Sequence, residues 1–402
     1  MTTTQADPVG VPPGGFSGTL GNRRLFANPT YHFEALRVLN TVASGGSDVT
    51  EVLETIGEIH GGNANEWYEA WSATAKRNLV RAGATRDQVC SGLAYLRSHT
   101  YWRTAEFLLK PDDVRRPSAW TAQVDAFDRG LKTLGIEHER MSIPYEDGAL
   151  RAIFYPASQG CEKKPLIVVV GGEDSTLEEL YFVLVPAAHQ RGYAVLTYEG
   201  PGQGAALREH GLLLTPEWEK PTTAVLEAYL GTHAKPPSIV LIGMSMGGYF
   251  AARAAAFEPR IDGVVSYDVC FDVAEIARHF AALARDPATS AGAAGFIDSV
   301  RWTFGAQSLD EIIERSLAFR LADVAGRILG DVLVLVGEED EFVPVTQGAA
   351  FVAALTGARS VETAQYDRAS GGAEHCQEGA STLWHETFFD WLLRRFPERI
   401  AP

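Results

Sequence analysis

The sequence predicts an α/β protein whose mostly parallel sheet carries helices on both faces, with an all-helical domain before it and a helical lid insertion within it. Three observations lead to this prediction. Residues 29–128 have helical periodicity without a convincing strand, whereas after Gly135 short apolar runs alternate with helical stretches. Such runs are typical of strands buried on both faces of a parallel sheet. The segment between Asp268 and Arg327 is helical in pattern and too long for an ordinary connection.

The helical domain is expected over residues 26–134, after a lead-in at residues 1–25 that is rich in Pro, Gly and Thr. Trp67, Trp71 and Ala75 recur at a spacing of four residues, which places them on one face of a helix. Two further helices follow, separated by a break that contains prolines.

The sheet-containing domain is expected over residues 135–402, with the insertion at residues 269–327. Two strands, Ile136–Ile143 and Ala149–Tyr155, are joined by the sequence YEDG, which is typical of a hairpin turn. The strands predicted after this hairpin are short and largely apolar: Leu166–Val170, Tyr193–Tyr198, Ser238–Ile242, Val264–Tyr267, Val332–Val336 and Val361–Tyr366.

Charge and composition exclude several classes of function. The 402 residues include 35 Lys and Arg against 51 Asp and Glu, a net charge of −16, and no basic run, which argues against a nucleic-acid or anionic-membrane partner. The longest apolar runs are far shorter than the roughly 18 residues of a membrane span. The start has no basic and apolar leader, and the four cysteines are widely separated, so we expect a cytoplasmic protein without a disulfide framework.

The segment SIVLIGMSMGGYF carries the strongest functional signal. An apolar strand runs into Gly243–Gly247, a G-x-S-x-G sequence, and an alanine-rich helix begins at once. In this context the serine occupies a tight strand-to-helix turn with strained backbone angles, and the flanking glycines keep side chains from colliding with the turn. The hydroxyl is exposed at a helix N-terminus, which favours developing negative charge. Ser245 is therefore the candidate nucleophile.

A serine hydroxyl is a poor nucleophile and needs a base that is oriented by an acid. Three histidines follow Ser245 in the chain. His279 lies in the predicted insertion and His385 in a terminal helix, whereas His375 lies in a glycine-flanked loop after a strand. We therefore predict that His375 is the base.

The orienting acid is predicted to be Asp340, in the loop GEEDEFVP that follows a late strand. A Val-Pro pair closes this loop and suits an inward-turned aspartate. Glu338 and Glu339 are expected to be solvated or to lie at a helix start. Asp268, which follows the strand GVVSYD, stays open as an alternative acid.

Stabilisation of an oxyanion needs two backbone N–H donors. The residue after the nucleophile, Met246, is one candidate. The loop in LIVVVGGEDS supplies the second, with Glu173 as the expected donor and Gly172 beside it. A plain tight turn is the alternative interpretation of the paired glycines.

Two other features bear on ligand chemistry. Residues 200–204, GPGQG, lack the Lys-Ser/Thr of a phosphate-binding loop and are predicted to shape the site. No His, Cys or carboxylate cluster has metal-ligand spacing, so we expect neither a metal nor a cofactor.

Aromatic residues at helical spacing either belong to the core or line an aromatic substrate pocket; the candidates for the pocket are Trp67, Trp71, Tyr101, Trp102, Trp302 and Phe304.

Taken together, GMSMG, GEEDEFVP, GAEHCQ and TYEGPGQG resemble the α/β-hydrolases over roughly residues 30–395. The helical sequences NEWYEAW and LRSHTYWRTAEFLL resemble one branch of that superfamily. This branch contains 2,6-dihydroxypseudooxynicotine hydrolase, fungal yellowish-green pigment hydrolases that shorten polyketides, and proteins like the fermentation-respiration-switch esterase.

The resemblance implies a helical domain over the sheet, a substrate site between the two, and a homodimer. It also implies cleavage of a carbon–carbon bond next to a ketone in an aromatic or polyketide substrate. Some members of the branch carry an extra acid near the serine, and Asp268 and Asp272 lie in that region of this sequence.

The leading hypothesis is a serine-dependent hydrolase that cleaves such a carbon–carbon bond or an ester. A plain carboxylesterase is one alternative. An acyltransferase or cyclase of a polyketide intermediate, using the same three side chains, is another. A binding protein on a hydrolase scaffold is disfavoured because Ser245, Asp340 and His375 are all present.

Overall fold

The computed structural model describes residues 24–60, 63–157, 163–285 and 290–398, with only the backbone described for residues 290–295. The lead-in predicted at residues 1–25 lies almost entirely outside the described residues. The strands are β1 (Glu139–Tyr145), β2 (Gly148–Tyr155), β3 (Leu166–Val170), β4 (Val195–Tyr198), β5 (Ile239–Met244), β6 (Gly263–Tyr267), β7 (Asp331–Gly337) and β8 (Ser360–Tyr366).

The helices precede, separate and follow these strands. They are α1 (Pro29–Asn40), α2 (Val49–Gly57), α3 (Ala64–Ala84), α4 (Gln88–Phe107), α5 (Arg116–Leu134), α6 (Glu179–His189), α7 (Gly204–Arg208), α8 (Glu219–Thr232), α9 (Met246–Ala255), α10 (Val273–Arg285), α11 (Ser290–Phe304), α12 (Leu309–Ser316), α13 (Thr346–Ala354) and α14 (Ser381–Arg395). None of these described helices combines the length and the apolar character needed to cross a bilayer.

The strands form one sheet in the order β1-β2-β4-β3-β5-β6-β7-β8. The hairpin strands β1 and β2 pair antiparallel, and β2 pairs antiparallel with β4, while every later pairing is parallel. The predicted α/β class with a mostly parallel sheet is confirmed. All residues of β3, β4, β5 and β6 are buried, which explains why these strands read as continuous apolar runs.

The order of strands along the sheet forms a switch point at the carboxyl ends of β3 and β5. Chain order moves outward from β3 in both directions, to β4 on one side and to β5 on the other. Ligands of open α/β sheets bind outside the carboxyl ends of strands at such a switch point. The loops after β3, β5, β6 and β7 begin at this same edge, since their strands run parallel and in register.

The described chain divides into two compact units. One lies within Met1–Gly135 and takes in Asp286–Phe296, and the other comprises Ile136–Arg285 and Ile297–Pro402. The predicted insertion contains α10, α11 and α12. Phe296 of α11 packs against the core of the helical unit, so the insertion is shared between the units, whereas the sequence assigned all of it to the sheet domain.

The core of the helical unit contains a row of aromatic rings in which each ring contacts the next. Tyr31 lies 4.8 Å from Trp67, Trp67 lies 5.7 Å from Trp71, and Trp71 lies 5.7 Å from Tyr101, measured between ring centroids. The Trp67 indole donates to the Thr104 carbonyl at 2.7 Å. Aromatic pairs at these separations add to the stability that burial of their area provides.

The packing bears on part of the predicted substrate pocket. Trp67, Trp71 and Tyr101 have 0% exposed surface, and the Tyr101 hydroxyl donates to the Glu51 carboxylate at 2.9 Å. The three side chains therefore belong to the core of the helical unit, and a pocket role for them stays a prediction.

Candidate active site

Ser245 lies at the turn between β5 and α9 with φ 57° and ψ −122°. Few residues other than glycine adopt a positive φ, and such strain persists only where the surrounding structure enforces it. Here the Ser245 N–H donates to the Tyr267 carbonyl at the end of β6, at 2.7 Å. The turn therefore holds the serine between two strand ends, and its side chain is half-buried.

The glycines on either side of Ser245 are required by close backbone approach. A Cβ at Gly243 would overlap the carbonyl group of Gly247, and a Cβ at Gly247 would lie 2.6 Å from the Gly171 carbonyl oxygen. Separations under 3.0 Å are too short for a real Cβ contact. The G-x-S-x-G pattern thus lets α9 begin directly behind β5 and against the end of β3.

His375 and Asp340 form a buried pair. The imidazole Nδ1 lies 2.5 Å from Asp340 Oδ2, and their side chains are 5% and 1% exposed. The other carboxylate oxygen, Oδ1, accepts the backbone N–H groups of Phe342 and Val343 at 2.7 and 2.8 Å. The tight loop closed by the Val-Pro pair therefore turns the Asp340 side chain inward, toward the histidine.

The pair changes how His375 binds a proton. Burial alone would lower the pKa of the imidazole, but the negative charge of Asp340 and the hydrogen bond to it raise that pKa well above its ordinary value. A carboxylate on Nδ1 also leaves Nε2 as the nitrogen that can accept a proton from a hydroxyl.

Asp268, the alternative acid, has a different role in the structure. Its Oδ1 accepts the Gly337 N–H at 2.9 Å, and its Oδ2 accepts the Cys376 N–H at 2.6 Å and the Gln377 side-chain amide at 3.2 Å. Asp268 therefore forms hydrogen bonds with Cys376 and Gln377, the two residues that follow His375, and not with the imidazole itself. The Tyr267 hydroxyl donates to the Cys376 carbonyl and fastens the same segment.

The environment of Asp268 is unfavourable for a charge. Burial and the nearby Asp340 carboxylate raise its pKa to about 7, against the opposing effects of the His375 charge and of the N–H donors from Gly337 and Cys376. Asp272, the other aspartate of this region, lies farther along, where it pairs with Arg320 at 3.6 Å and caps α10 through the Glu275 N–H at 3.2 Å.

The predicted oxyanion residues lie around Ser245. Gly172 approaches the serine so closely that a Cβ there would lie 3.3 Å from Ser245 Cβ and 3.7 Å from its Oγ. Met246 is the first residue of α9, where N–H groups have no partner within the helix. The Glu173 side chain accepts a hydrogen bond from the Thr303 hydroxyl of α11.

The segment 199–204 after β4 supports the loop that contains Gly171 and Gly172; residues 200–204 were predicted to shape the site, but the part that Gln203 takes was not foreseen. Gln203 is 1% exposed, and its Nε2 donates to the Gly171 and Gly172 carbonyls at 2.9 and 2.5 Å. Glu199 Oε1 accepts the Ala205 N–H at 2.9 Å, while its buried Oε2 has no hydrogen-bond partner among the described residues. The E-G-P-G-Q-G sequence was the only available signal, and it does not say which loop the amide reaches.

The aromatic candidates in the sheet-containing unit remain predictions. Trp302 is half-buried, with the Arg208 guanidinium 5.3 Å from its ring centroid. Phe304 is 6% exposed, and its ring lies 5.3 Å from that of Phe319. Trp102 of the helical unit is 7% exposed and likewise stays a prediction.

Phe342 is an aromatic neighbour of His375 that was not among the residues predicted from the sequence. Its ring is half-buried and its centroid lies 5.2 Å from that of the imidazole. Phe280 of α10 lies 5.8 Å from Phe342. One apolar ring therefore lies beside the imidazole, and a second packs against the first.

One grouping of potential metal ligands occurs in the described part of the chain, formed by Asp268, His375 and Cys376 within 4.8 Å of one another. The bonds already given account for it: Asp268 accepts N–H donors, and His375 Nδ1 faces Asp340. The arrangement fits an acid–base site better than a metal centre.

Comparison with known proteins places the chain within a known family. Residues 167–365 match the family model described as Alpha/beta hydrolase family. The chain is 41% identical over 279 residues to hydrolase acrC of Aspergillus aculeatus, covering 63% of this chain and 65% of that protein. It is 38% identical over 269 residues to 20-hydroxy-prefusarin hydrolase FUS2 of Gibberella moniliformis, covering 63% and 64%. The chain thus spans just under two thirds of the length of these two relatives.

Two further comparisons extend over more of the chain. Hydrolyase poxO of Penicillium oxalicum is 31% identical over 342 residues, covering 75% of this chain and 80% of that protein. The solved structure of 2,6-dihydroxy-pseudo-oxynicotine hydrolase superposes with a TM-score of 0.72 at 21% identity, covering 90% of this chain and 98% of the other. At that identity the likeness shows the fold.

Replacing Gly243 by Ala tests the closeness of the turn. Because the new Cβ would overlap backbone of Gly247, we expect the free energy of unfolding to fall by about 3 kcal/mol or more, measured by urea denaturation. Gly231→Ala is the matched control, because a Cβ there meets no atom within 4 Å and lies in α8. An equal effect of the two substitutions would contradict the argument.

Replacing Asp340 by Asn tests the origin of the raised histidine pKa. If neutral His375 is the active form, the acid limb of the pH profile for p-nitrophenyl acetate cleavage lies above pH 6.5 in the wild type. Loss of the Asp340 charge should move that limb to lower pH and reduce kcat by about 10³–10⁴-fold through the wrong tautomer. An acid limb that stays in place in Asp340→Asn, or moves to higher pH, would refute this account.

Replacing Glu199 by Gln tests the buried carboxyl. Burial and the charge of Glu178 raise the pKa of Glu199 to about 8, so the folded chain holds a proton that the unfolded chain releases from about pH 4.5 upward. The wild type should therefore lose the Glu199 contribution to its stability as the pH rises from about 4.5 toward 8, whereas Glu199→Gln keeps only the pH dependence of the other groups, such as Asp268. We expect the Tm of the variant to gain on the wild type between pH 6 and 8.5; the exposed Glu227→Gln serves as control, and a pH-independent difference would argue against a neutral Glu199.

Proposed function

Because the chain belongs to the alpha/beta hydrolase family, we propose that it is a serine-dependent hydrolase of a small aromatic or polyketide-like molecule. The bond cleaved is a carbon–carbon bond next to a ketone, or an ester. Ser245 is the nucleophile, His375 the base and Asp340 the acid that orients it.

The observation that carries this proposal is the buried His375–Asp340 pair at the sheet edge where Ser245 is held in its strained turn. The three side chains follow β5, β7 and β8 in the order serine, acid, histidine. Hydrogen bonds also connect these segments. The Ser245 N–H donates to the Tyr267 carbonyl, and the Tyr267 hydroxyl donates to the carbonyl of Cys376, the residue after His375.

The proton moves first from serine to histidine. Neutral His375 takes the Ser245 hydroxyl proton as Oγ attacks the carbonyl carbon, and Asp340 stabilises the imidazolium that forms. The carbonyl electron pair moves onto oxygen, which the backbone N–H groups of Met246 and Glu173 then bind.

The second half of the reaction depends on the leaving group. When the tetrahedral intermediate collapses, an ester releases an alkoxide that His375 protonates on oxygen. A ketone with a neighbouring enolisable or electron-rich aromatic carbon instead releases an enolate or aryl carbanion, which His375 protonates on carbon. In both cases water, deprotonated by His375, then hydrolyses the acyl-enzyme.

The substrate class draws support from two sources. FUS2 is named as a hydrolase of 20-hydroxy-prefusarin, and the sequence resembles hydrolases of aromatic and polyketide ketones. The Phe342 ring beside His375, with Phe280 packed against it, suits an apolar or aromatic substrate. No electrostatic steering is needed for such a molecule, and we propose no nucleic-acid partner and no cofactor; the homodimer stays a prediction.

The decisive test compares Ser245→Ala with the wild type on two probes. p-Nitrophenyl butyrate reports ester cleavage, and 2,4,6-trihydroxyacetophenone reports carbon–carbon cleavage through release of the trihydroxybenzene and acetate. We expect Ser245→Ala to lose activity by about 10³-fold or more. Ser118→Ala, an exposed serine of α5, is the control and should keep full activity.

Product mass and isotope content separate the possible reactions. Hydrolysis adds one water to the substrate, and reaction in H₂¹⁸O places the label in the acid product. Cyclisation would add no water. Undiminished turnover in Ser245→Ala would rule out the serine mechanism altogether.

A further inference from the structure

We propose that Gln203 is a positioning residue for the oxyanion donor, holding the Gly171–Glu173 loop so that the Glu173 N–H faces the reacting carbonyl. This inference rests on the proposed function, because it assigns a support to one of its groups. Among the described residues, the Gln203 side chain forms hydrogen bonds with Gly171, Gly172 and Gly200, and none with Ser245 or His375. It therefore acts through the Gly171–Glu173 loop.

The amide of Gln203 is fully used in holding backbone. Its Nε2 donates to the Gly171 carbonyl at 2.9 Å and to the Gly172 carbonyl at 2.5 Å, and its Oε1 accepts the Gly200 N–H at 3.0 Å. Nε2 has two hydrogens, and each has an acceptor. Because the side-chain amide is planar, three bonds determine both its plane and its direction.

Fixing a carbonyl also fixes the N–H of the same peptide group. In a trans peptide the C=O of one residue and the N–H of the next point in opposite directions within one plane. The bond from Gln203 to the Gly172 carbonyl therefore directs the Glu173 N–H away from Gln203. The bond to the Gly171 carbonyl does the same for the Gly172 N–H.

The loop needs an external support because of its composition. Gly171 and Gly172 lack a Cβ, so their backbone has more conformational freedom than that of other residues. Gly172 cannot be replaced to gain rigidity without bringing a Cβ to 3.3 Å from Ser245 Cβ. The two glycines thus allow the loop to approach the serine but leave its backbone more flexible. The hydrogen bonds from Gln203 restrain that backbone.

The support is itself held in place. The Gln203 N–H donates to the Gly200 carbonyl at 3.0 Å, and Glu199 accepts the Ala205 N–H on the other side. Gly204 has φ 37°, and a Cβ there would overlap the Glu199 carboxyl. The E-G-P-G-Q-G sequence therefore forms a tight turn that holds the Gln203 side-chain amide in position.

The far end of the loop has a second anchor. The Thr303 hydroxyl, 2% exposed in α11, donates to the Glu173 carboxylate. Gln203 holds the backbone before Glu173, and Thr303 holds its side chain. The two anchors therefore restrict the position of the Glu173 peptide group from both sides.

Gln203→Met is the variant that tests the proposal, because methionine has a similar length but donates no hydrogen bond. Misplacement of one oxyanion donor should lower kcat for p-nitrophenyl butyrate by about ten- to a hundredfold, with KM within about twofold of the wild type. The rate of Ser245 labelling by a fluorophosphonate, which places its P=O in the same position, should fall in parallel. The exposed Gln365→Met, on β8, is the control.

Gln203→Glu provides a test that does not depend on the methionine variant folding well. A carboxylate at this position would face two carbonyl oxygens, whereas its protonated form can donate to one of them. We expect the ratio of variant to wild-type kcat to rise as the pH falls from 8 to 5.5. A merely structural role would lower Tm without this pH dependence.

The outcomes separate the inference from the proposed function. The inference would be overturned if Gln203→Met and Gln203→Glu kept the wild-type kcat and labelling rates. It would also be overturned if kcat and 1/KM of these variants changed equally, with a lower Tm and no dependence of the kcat ratio on pH. Undiminished turnover in Ser245→Ala would instead overturn the proposed function, whatever the Gln203 variants do.

Discussion

The backbone conformation of Ser245 is the constraint on which the rest of the site depends. A φ of 57° at a non-glycine residue is sustained only because the neighbouring chain segments approach closer than any side chain would allow. Gly243 faces the carbonyl of Gly247, and Gly247 in turn faces that of Gly171. The end of β3, the end of β5 and the start of α9 are thereby brought into direct backbone contact. The strain at one residue is offset by the packing of three elements.

This closeness explains how two acids come to lie near one histidine. The Ser245 N–H donates to the carbonyl of Tyr267 at the end of β6. The next residue, Asp268, is therefore at the same edge of the sheet, where it is buried. Asp340 Oδ2 lies 2.5 Å from the imidazole Nδ1, whereas Asp268 accepts N–H donors from the segment that carries the histidine. A second buried carboxyl is costly, as its raised pKa indicates, and its three hydrogen bonds offset part of that cost. The histidine lies in a single short 3₁₀ turn, His375–Gln377, and this turn gains a fixed position from the arrangement.

Polar support of glycine-rich backbone recurs on the opposite side of the serine. Gly171 and Gly172 come close to Ser245 because they lack side chains, and Gln203 supplies from a neighbouring loop the order that they lack. In both places a buried side chain bonds to main-chain groups of a loop rather than to the reacting atoms. Such bonds specify loop direction, which apolar packing cannot do because it is not directional.

The class of fold, the approximate strand segments, and the positions of Ser245, Asp340 and His375 after strands can be predicted from the sequence alone. These features follow from local patterns: buried parallel strands are continuous apolar runs, and the elbow glycines are required within five residues of one another. The folded chain was needed to show which acid meets the imidazole, which carbonyls Gln203 reaches, and that Trp67 and Trp71 belong to the core. Those outcomes depend on residues that are 30 or more positions apart in the chain. A periodic pattern records which face of an element is apolar, while the partner of that face, and of every buried polar group, is set by how the elements pack.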